Sequence, residues 1–207
     1  MNKKIIAAIM MGFALTFSAG ADNPVLAAEA AVAAPASEYT YTSKDYGFSI
    51  ICPQKPVGVI PVSALYPDKK GDVLVFDNEE FNIKYAWVII PDGFEDKDVP
   101  DLNNTTPEKL FEYLQQLKDN NIYEGVALID LNNNNKGVLC ITAKEVEVDT
   151  DGDGQPDTTA TADTQMAVTF FRGNKGTRYS VQLIDNPELR SSSVDALQYG
   201  LSTFVEN

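Results

Sequence analysis

The 207-residue chain contains no histidine, and this absence excludes several kinds of chemistry. Histidine is the commonest general base near neutral pH, the usual partner of serine and cysteine nucleophiles, and a frequent ligand of zinc and iron. Triads built on an imidazole and histidine-ligated metal centres therefore cannot form. Hydrolysis by a pair of carboxylates remains possible.

Positive charge is also scarce. Lysine and arginine together number 16 against 30 aspartates and glutamates, and the formal net charge is −14. An acidic surface of this kind repels the phosphates of nucleic acids and the headgroups of anionic lipids. We therefore expect neither nucleic-acid binding nor direct binding to a membrane surface.

Long apolar runs are absent except at the N-terminus. There, Met1-Asn2-Lys3-Lys4 precedes an apolar run over 5–17, which is typical of a secretory signal peptide. The alternative is an uncleaved anchor, although the run is shorter than the ~20 residues that span a bilayer. Small residues suit cleavage near Ala21 or Ala30, and the sequence does not choose between them. We predict a signal peptide over 1–30 and a secreted or periplasmic protein.

The rest of the chain divides into a spacer and one domain. Residues 31–37 are rich in alanine and proline, which is typical of a low-complexity spacer. Residues 38–207 are close to the size of an ordinary domain and can bury a core. We predict one domain over 38–207.

Only two cysteines are present, Cys52 and Cys140, and both lie in apolar runs. An exported protein can hold a disulfide, which would here close a loop of nearly ninety residues. Two buried free thiols are equally compatible with these surroundings, since cysteine is among the most buried residue types. The sequence leaves both alternatives open.

Alternating apolar residues and turn signals predict an antiparallel sheet with two helices packed on it, an α+β fold. Pro56 and Pro61 confine the segment 57–63 to an edge or an irregular position. The other predicted strands are 39–42, 48–52, 72–76, 83–90, 125–131, 138–148, 164–171 and 177–184.

Two helices are indicated by their caps and apolar spacing. The first begins at Pro107 after a cap at Thr105 or Thr106, and the last follows Pro187 with a cap within 191–193. The predicted apolar stripes are Leu110, Phe111, Leu114 and Leu117 on the first helix, and Val194, Leu197, Leu201 and Phe204 at the last.

Several short motifs together resemble the PsbP-like family. They are Tyr46-Gly47-Phe48-Ser49-Ile50 ahead of a proline, the Thr-Pro-Glu helix start, long meandering strands, and a last helix that ends in Ser202-Thr203-Phe204. The founding member of that family is an extrinsic subunit of photosystem II, and its relatives are common in bacterial envelopes. The resemblance implies an α/β/α sandwich, an antiparallel sheet between helices.

The segment 149–157 has the spacing of a calcium loop. Carboxylates at alternate positions, followed by a glycine that lets the backbone bend, can wrap oxygen atoms around Ca²⁺. The predicted ligands are Asp149, Asp151, Asp153, the main-chain carbonyl of Gln155, and Asp157. The loop is similar to the Asp-rich calcium loops of thrombospondin type 3 repeats, and it looks like an insertion relative to the PsbP-like pattern.

This loop departs from an EF-hand at its twelfth position, where Ala160 replaces the bidentate glutamate. We therefore expect weak affinity and a structural role for calcium, in which the ion orders a hairpin. The alternative is a solvated acidic turn, because aspartate and glycine are common turn residues.

A second acidic cluster follows the predicted strand 83–90 and provides an alternative function. Its carboxylates are Asp92, Glu95, Asp96, Asp98 and Asp101. Such acids could serve a carboxylate-dependent hydrolase acting on glycan or peptidoglycan, but charge runs of this kind are usually solvated loops. We therefore predict an exported, non-enzymatic binding or accessory domain that engages a protein or an envelope component.

Overall fold

The computed structural model describes residues 38–207 except 79–82, 121, 149, 151–154, 156, 163 and 187. The predicted signal peptide (1–30) and spacer (31–37) lie outside the described residues. In this part of the chain there are twelve strands and two α-helices. In chain order they are β1 (Tyr39–Thr42), β2 (Phe48–Cys52), β3 (Gly58–Pro61), β4 (Asp72–Asn78), β5 (Ile83–Ile90), α1 (Pro107–Lys118), β6 (Tyr123–Asp130), β7 (Lys136–Thr142), β8 (Glu145–Val148), β9 (Thr158–Thr161), β10 (Met166–Arg172), β11 (Arg178–Asn186), α2 (Ser191–Ser202) and β12 (Val205–Glu206).

Seven of these strands form one antiparallel sheet in the order β3-β4-β5-β11-β10-β7-β6. A small sheet has the order β1-β2-β12, and β8 pairs with β9 in a separate hairpin. The predicted α+β class and the antiparallel sheet are confirmed. The prediction that the proline-flanked segment after Pro56 is an edge is also confirmed, since β3 ends the large sheet.

Helix α1 covers one face of the large sheet. The Thr106 hydroxyl accepts a hydrogen bond from the Lys109 backbone N–H at 3.4 Å, and Pro107 occupies the first turn. Half-buried leucines of α1 pack against Val138 and Cys140 of β7. The apolar stripe was wrong at Phe111, which is 57% exposed. Tyr113 packs in the same cluster as the leucines instead.

Helix α2 covers the opposite face. Its buried Val194, Leu197 and Leu201 belong to the cluster that contains Leu139 and Ile141 of β7. Because side chains alternate along a strand, Leu139 and Ile141 point away from the α1 side. The predicted serine cap was wrong: Arg190 is the N-cap, no side chain caps the helix, and 191–193 form its first turn.

The small sheet packs beside α2 through aromatic rings. Phe48 of β2 stacks on Phe204 at 5.4 Å between ring centroids, and Phe204 contacts Tyr179 of β11 at 4.8 Å. The Tyr41 hydroxyl donates to Asp72 of β4 at 2.9 Å. These contacts hold the N-terminal hairpin and the last residues of the chain on one face of the large sheet.

The predicted strand over 138–148 is divided in two. Strand β7 ends at Thr142 and β8 begins at Glu145, where the chain leaves the large sheet. The Ala143 backbone N–H donates to the Ile122 carbonyl at 2.7 Å at this break. The β8–β9 pair is therefore a two-stranded arm that extends the β7–β10 pair and carries the acidic loop at its tip.

Candidate functional site

The β8–β9 hairpin brings the two ends of the acidic loop together. The strands pair from Glu145↔Thr161 to Val148↔Thr158, so the loop 149–157 closes directly after the last pair. All four residues of β9 are exposed. Ala160 lies within β9 opposite Val146. The loop between the paired strands is therefore nine residues long.

A carboxylate closes the loop. Asp157 Oδ2 accepts hydrogen bonds from the Thr150 backbone N–H at 2.7 Å and from the Thr150 hydroxyl at 2.6 Å. Of the other predicted ligands, Gln155 is exposed at the tip, whereas Asp149, Asp151 and Asp153 lie outside the described residues. The structure thus places Asp157 at the base of the loop and leaves the convergence of the three remaining aspartates as a prediction.

Within the described ranges, no three acidic or cysteine side chains are grouped closely enough to hold a metal ion. All five acids of the second cluster are described, and they do not form such a group. Asp149, Asp151 and Asp153 lie outside these ranges, so this finding does not bear on them.

Two arginines hold the second acidic cluster on the sheet. Arg172, at the end of β10, lies 2.6 Å from Asp96, and its other terminal nitrogen donates to the Val99 carbonyl at 3.0 Å. Arg178, at the start of β11, lies 3.3 Å from Asp92 and 3.5 Å from Asp96. These carboxylates therefore anchor the loop by ion pairs.

The remaining acids of this loop have local partners. Lys97 pairs with Glu95, and Asp98 accepts a long hydrogen bond of 3.4 Å from the Glu95 backbone N–H. Asp101 accepts hydrogen bonds from the backbone of Asn103 and from the Asn104 side chain.

The pKa shifts in this loop do not favour acid catalysis. The hydrogen bond from Lys97 lowers the pKa of Glu95, and the Asn104 side chain lowers the pKa of Asp101. A general acid in a glycosidase needs a raised pKa. Both shifts run in the opposite direction, so neither supports the hydrolase alternative.

Sequence reasoning missed Arg172 and Arg178. The available signal was the scarcity of cations: two arginines flank the turn 173–177 in an acidic protein. Arg172 also lies 5.5 Å from the ring centroid of Phe94, which packs against Phe170. The arginines therefore connect the acidic loop to the apolar surface beneath it.

Both cysteines are buried free thiols. Cys52 belongs to the core on the α2 face and Cys140 to the core on the α1 face, with the sheet between them. Of the two alternatives from the sequence, the structure shows free thiols. Burial raises the pKa of each thiol from 9.0 to about 12.

We expect both thiols to resist a disulfide reagent in the folded protein and to react fully after unfolding, because the thiolate is the reactive form. Stability should also fall in alkali. The folded-state pKa of each thiol is raised, so below pH 9.0 thiol ionisation does not change the free energy of unfolding. Between pH 9.0 and about pH 12 it lowers the free energy of unfolding progressively, because the thiols ionise in the unfolded chain first. Reagent titration and denaturation curves across this pH range would measure both effects.

The Cys140→Ala variant is the control for the alkaline effect. It should show a weaker loss of stability between the two pH limits, because one of the two buried thiols is gone. Burial also raises the pKa of Tyr113 and Tyr123, so these tyrosines contribute to the loss in both proteins. A thiol that reacts rapidly in the folded wild-type protein would contradict the burial of both groups.

A shallow cleft lies between the Asn-rich turn after β6 and the turn after β10. Its enclosed volume is about 10 Å³, and it is lined by Leu131, Asn133, Asn174 and Phe204, among others. Pockets for small molecules usually exceed ~300 Å³. This cleft therefore provides no argument for a small-molecule substrate.

Among the described residues, neither helix combines the length and the apolar character required to cross a bilayer.

Comparisons with known proteins return nothing: no protein-family model, no curated protein and no solved structure matches the chain.

Proposed function

We propose that the chain is an exported, non-enzymatic binding or accessory domain of the PsbP-like kind. In this proposal, Ca²⁺ orders the hairpin tip and the domain engages a protein or an envelope component. The antiparallel sheet with a helix on each face is compatible with the sandwich that the resemblance implies. The N-terminal leader pattern supports export.

The pairing of β8 with β9 carries the calcium proposal. It holds the ends of a nine-residue loop together, and the Thr150–Asp157 hydrogen bonds add a second closure. The segment 144–164 contains seven acids and Lys144 as its single cation. Like charges confined to a short loop repel each other, and a divalent cation relieves that repulsion. This arrangement favours a bound cation over a loop that merely contacts water.

The test is calorimetric titration of the purified protein with Ca²⁺, together with thermal melts. We expect a dissociation constant of about 10⁻⁴–10⁻³ M, typical of extracellular calcium modules, and a higher melting temperature at saturating Ca²⁺. The Asp151→Asn/Asp153→Asn variant should lose both effects, because two carboxylate ligands become neutral amides.

The matched control is Glu112→Gln/Glu188→Gln, which removes the same charge from exposed positions outside the segment 144–164. This variant should bind Ca²⁺ like the wild type. Absence of heat and of any melting shift in the wild-type protein would remove the calcium site. An equal loss in both variants would attribute the effect to net charge alone.

A further inference from the structure

The two ends of the large sheet differ in chemistry. On β6, the exposed residues are Glu124, Ala127 and Asp130. The two charged side chains disfavour pairing of another strand with that edge. At the β3 end, four of the five large apolar side chains that are exposed in the described part of the chain lie within nine residues. They are Val57, Val59, Ile60 and Leu65, with exposed fractions from 41% to 64%.

Charge also distinguishes this end. Residues 53–71 contain three lysines, Lys55, Lys69 and Lys70, against the single acid Asp68, so the segment is positive in a chain of net charge −14. Lys55 and Lys70 are exposed on either side of β3 in the sequence. The edge therefore combines apolar side chains with a local excess of positive charge.

The edge is firmly held. Val62 is completely buried with Val73 and Val88, and its backbone N–H donates to the Gly71 carbonyl at 2.9 Å. The Tyr66 hydroxyl donates to Gln182 of β11 at 3.0 Å. These contacts fix both the backbone and the direction of the exposed side chains, so a partner would meet a preformed surface.

We propose that the edge of β3, with the apolar and basic residues between Lys55 and Lys70, docks an extended segment of a protein partner that carries alternating acidic and apolar residues. The segment adds a strand beside β3, its apolar side chains cover Val59 on one face of the sheet, and its acids approach the lysines. The proposal rests on the binding role proposed above and assigns it a surface distinct from the hairpin.

Charge and backbone geometry favour this occupant over two others. A second copy would bring the same lysines towards each other, because a two-fold interface pairs each patch with itself. An anionic membrane is wide enough to face much of the acidic protein surface, which repels it. A narrow peptide lies close to the lysines only, because solvent ions screen protein charges that are more than ~10 Å away. The peptide also supplies hydrogen bonds to the strand edge, although Pro61 offers no backbone donor.

The probe is a labelled short peptide that alternates glutamate with valine, and binding is measured by fluorescence anisotropy at low and physiological salt. The wild-type protein should bind it, and a peptide that alternates lysine with valine should bind at least about tenfold more weakly. Val59→Glu should reduce affinity for the glutamate peptide by about tenfold or more, as expected for the centre of an interface. Lys55→Glu/Lys70→Glu should reduce both affinity and its salt dependence.

Phe111→Glu is the control variant, since it changes an exposed apolar residue on α1 and should leave binding unchanged. Melting curves establish that each variant is folded. The proposal is overturned if the wild type does not bind the glutamate peptide, or if Phe111→Glu weakens binding as much as Val59→Glu. Concentration-dependent dimerisation that Val59→Glu abolishes would assign the edge to a second copy, and vesicle binding abolished by the same change would assign it to lipid; either result overturns the peptide proposal.

The Asp151→Asn/Asp153→Asn variant separates the two proposals. It should bind the peptide like the wild type, because the hairpin connects β7 and β10. Three strands, β4, β5 and β11, separate β10 from β3 in the large sheet. Loss of calcium binding with retained peptide binding would count only against the hairpin role. Retained calcium binding without peptide binding would count only against the β3 edge.

Discussion

Replacing Arg190 with alanine is expected to lower the free energy of unfolding by about 3 kcal/mol, measured by urea denaturation. Asp185 at the end of β11 is completely buried, and its carboxylate pairs with the Arg190 guanidinium, with Nε to Oδ2 at 3.0 Å. Removing the guanidinium leaves an uncompensated charge in the interior. The cost lies near the lower end of the usual ~3–5 kcal/mol because 23% of the Arg190 side chain is exposed and water can enter.

Lys84→Ala is the matched control. It breaks the Lys84–Asp77 ion pair of 3.3 Å, in which the lysine side chain is 62% exposed, so the expected loss is below about 1 kcal/mol. The double variant Asp185→Asn/Arg190→Leu should recover much of the lost stability, because the buried charge is gone. Equal losses in Arg190→Ala and Lys84→Ala would show that burial of Asp185 does not determine the effect.

Gly71→Ala is expected to cost about 4 kcal/mol or more, or to prevent folding. Gly71 has φ +134°, and a Cβ there would meet the Ile89 carbonyl oxygen at 2.0 Å and Pro91 Cδ at 3.1 Å. The carbonyl belongs to the backbone of β5 and cannot move aside by a rotamer change. Thermal melts and urea denaturation of the purified variant measure the loss.

Two other glycines separate the cost of backbone strain from the cost of steric overlap by the added Cβ. Gly176 has φ +93° with open space around its Cβ position, so Gly176→Ala tests backbone strain alone and should cost about 1–2 kcal/mol. Gly58 has open space and lacks a positive φ, and Gly58→Ala should stay within about 0.5 kcal/mol. Similar losses at all three positions would contradict a steric cause at Gly71.

Much of the fold could be predicted from local chemistry. Thr106 and Pro107 predicted the start of α1, because an unpaired N–H needs an acceptor and proline suits the first turn. Prolines around β3 predicted an edge, since proline lacks the donor that an interior strand requires. Each of these signals depends on residues that are close in sequence.

The errors arose where distant residues decide the local structure. Arg190 occupies the N-cap of α2, and its backbone N–H and guanidinium both donate to Asp185, so the serines after it begin the helix without capping it. Phe111 fits helical spacing, yet the direction in which α1 packs leaves it exposed and brings Tyr113 inward. The end of β7 at Thr142 was missed because the strand-like sequence continues beyond the large sheet.

The candidate site shows the same division. Strand-like residues on both sides of the acidic loop predicted a hairpin, and the β8–β9 pairing is confirmed. Convergence of Asp149, Asp151 and Asp153 on a cation stays a prediction. The role of Asp92 and Asp96 could not be predicted, because their partners Arg178 and Arg172 lie more than seventy residues away in the chain.

By itself, the sequence determined the exclusion of imidazole chemistry, the acidic surface, and the spacing of aspartates in the candidate calcium loop. These properties belong to composition and to neighbouring residues. Only the tertiary structure decided that the two thiols lie on opposite faces of the sheet, that Arg190 neutralises a buried Asp185, and that an apolar, basic edge is exposed at β3. Each depends on distances across the sheet, which are set by strand pairing between segments far apart in the chain.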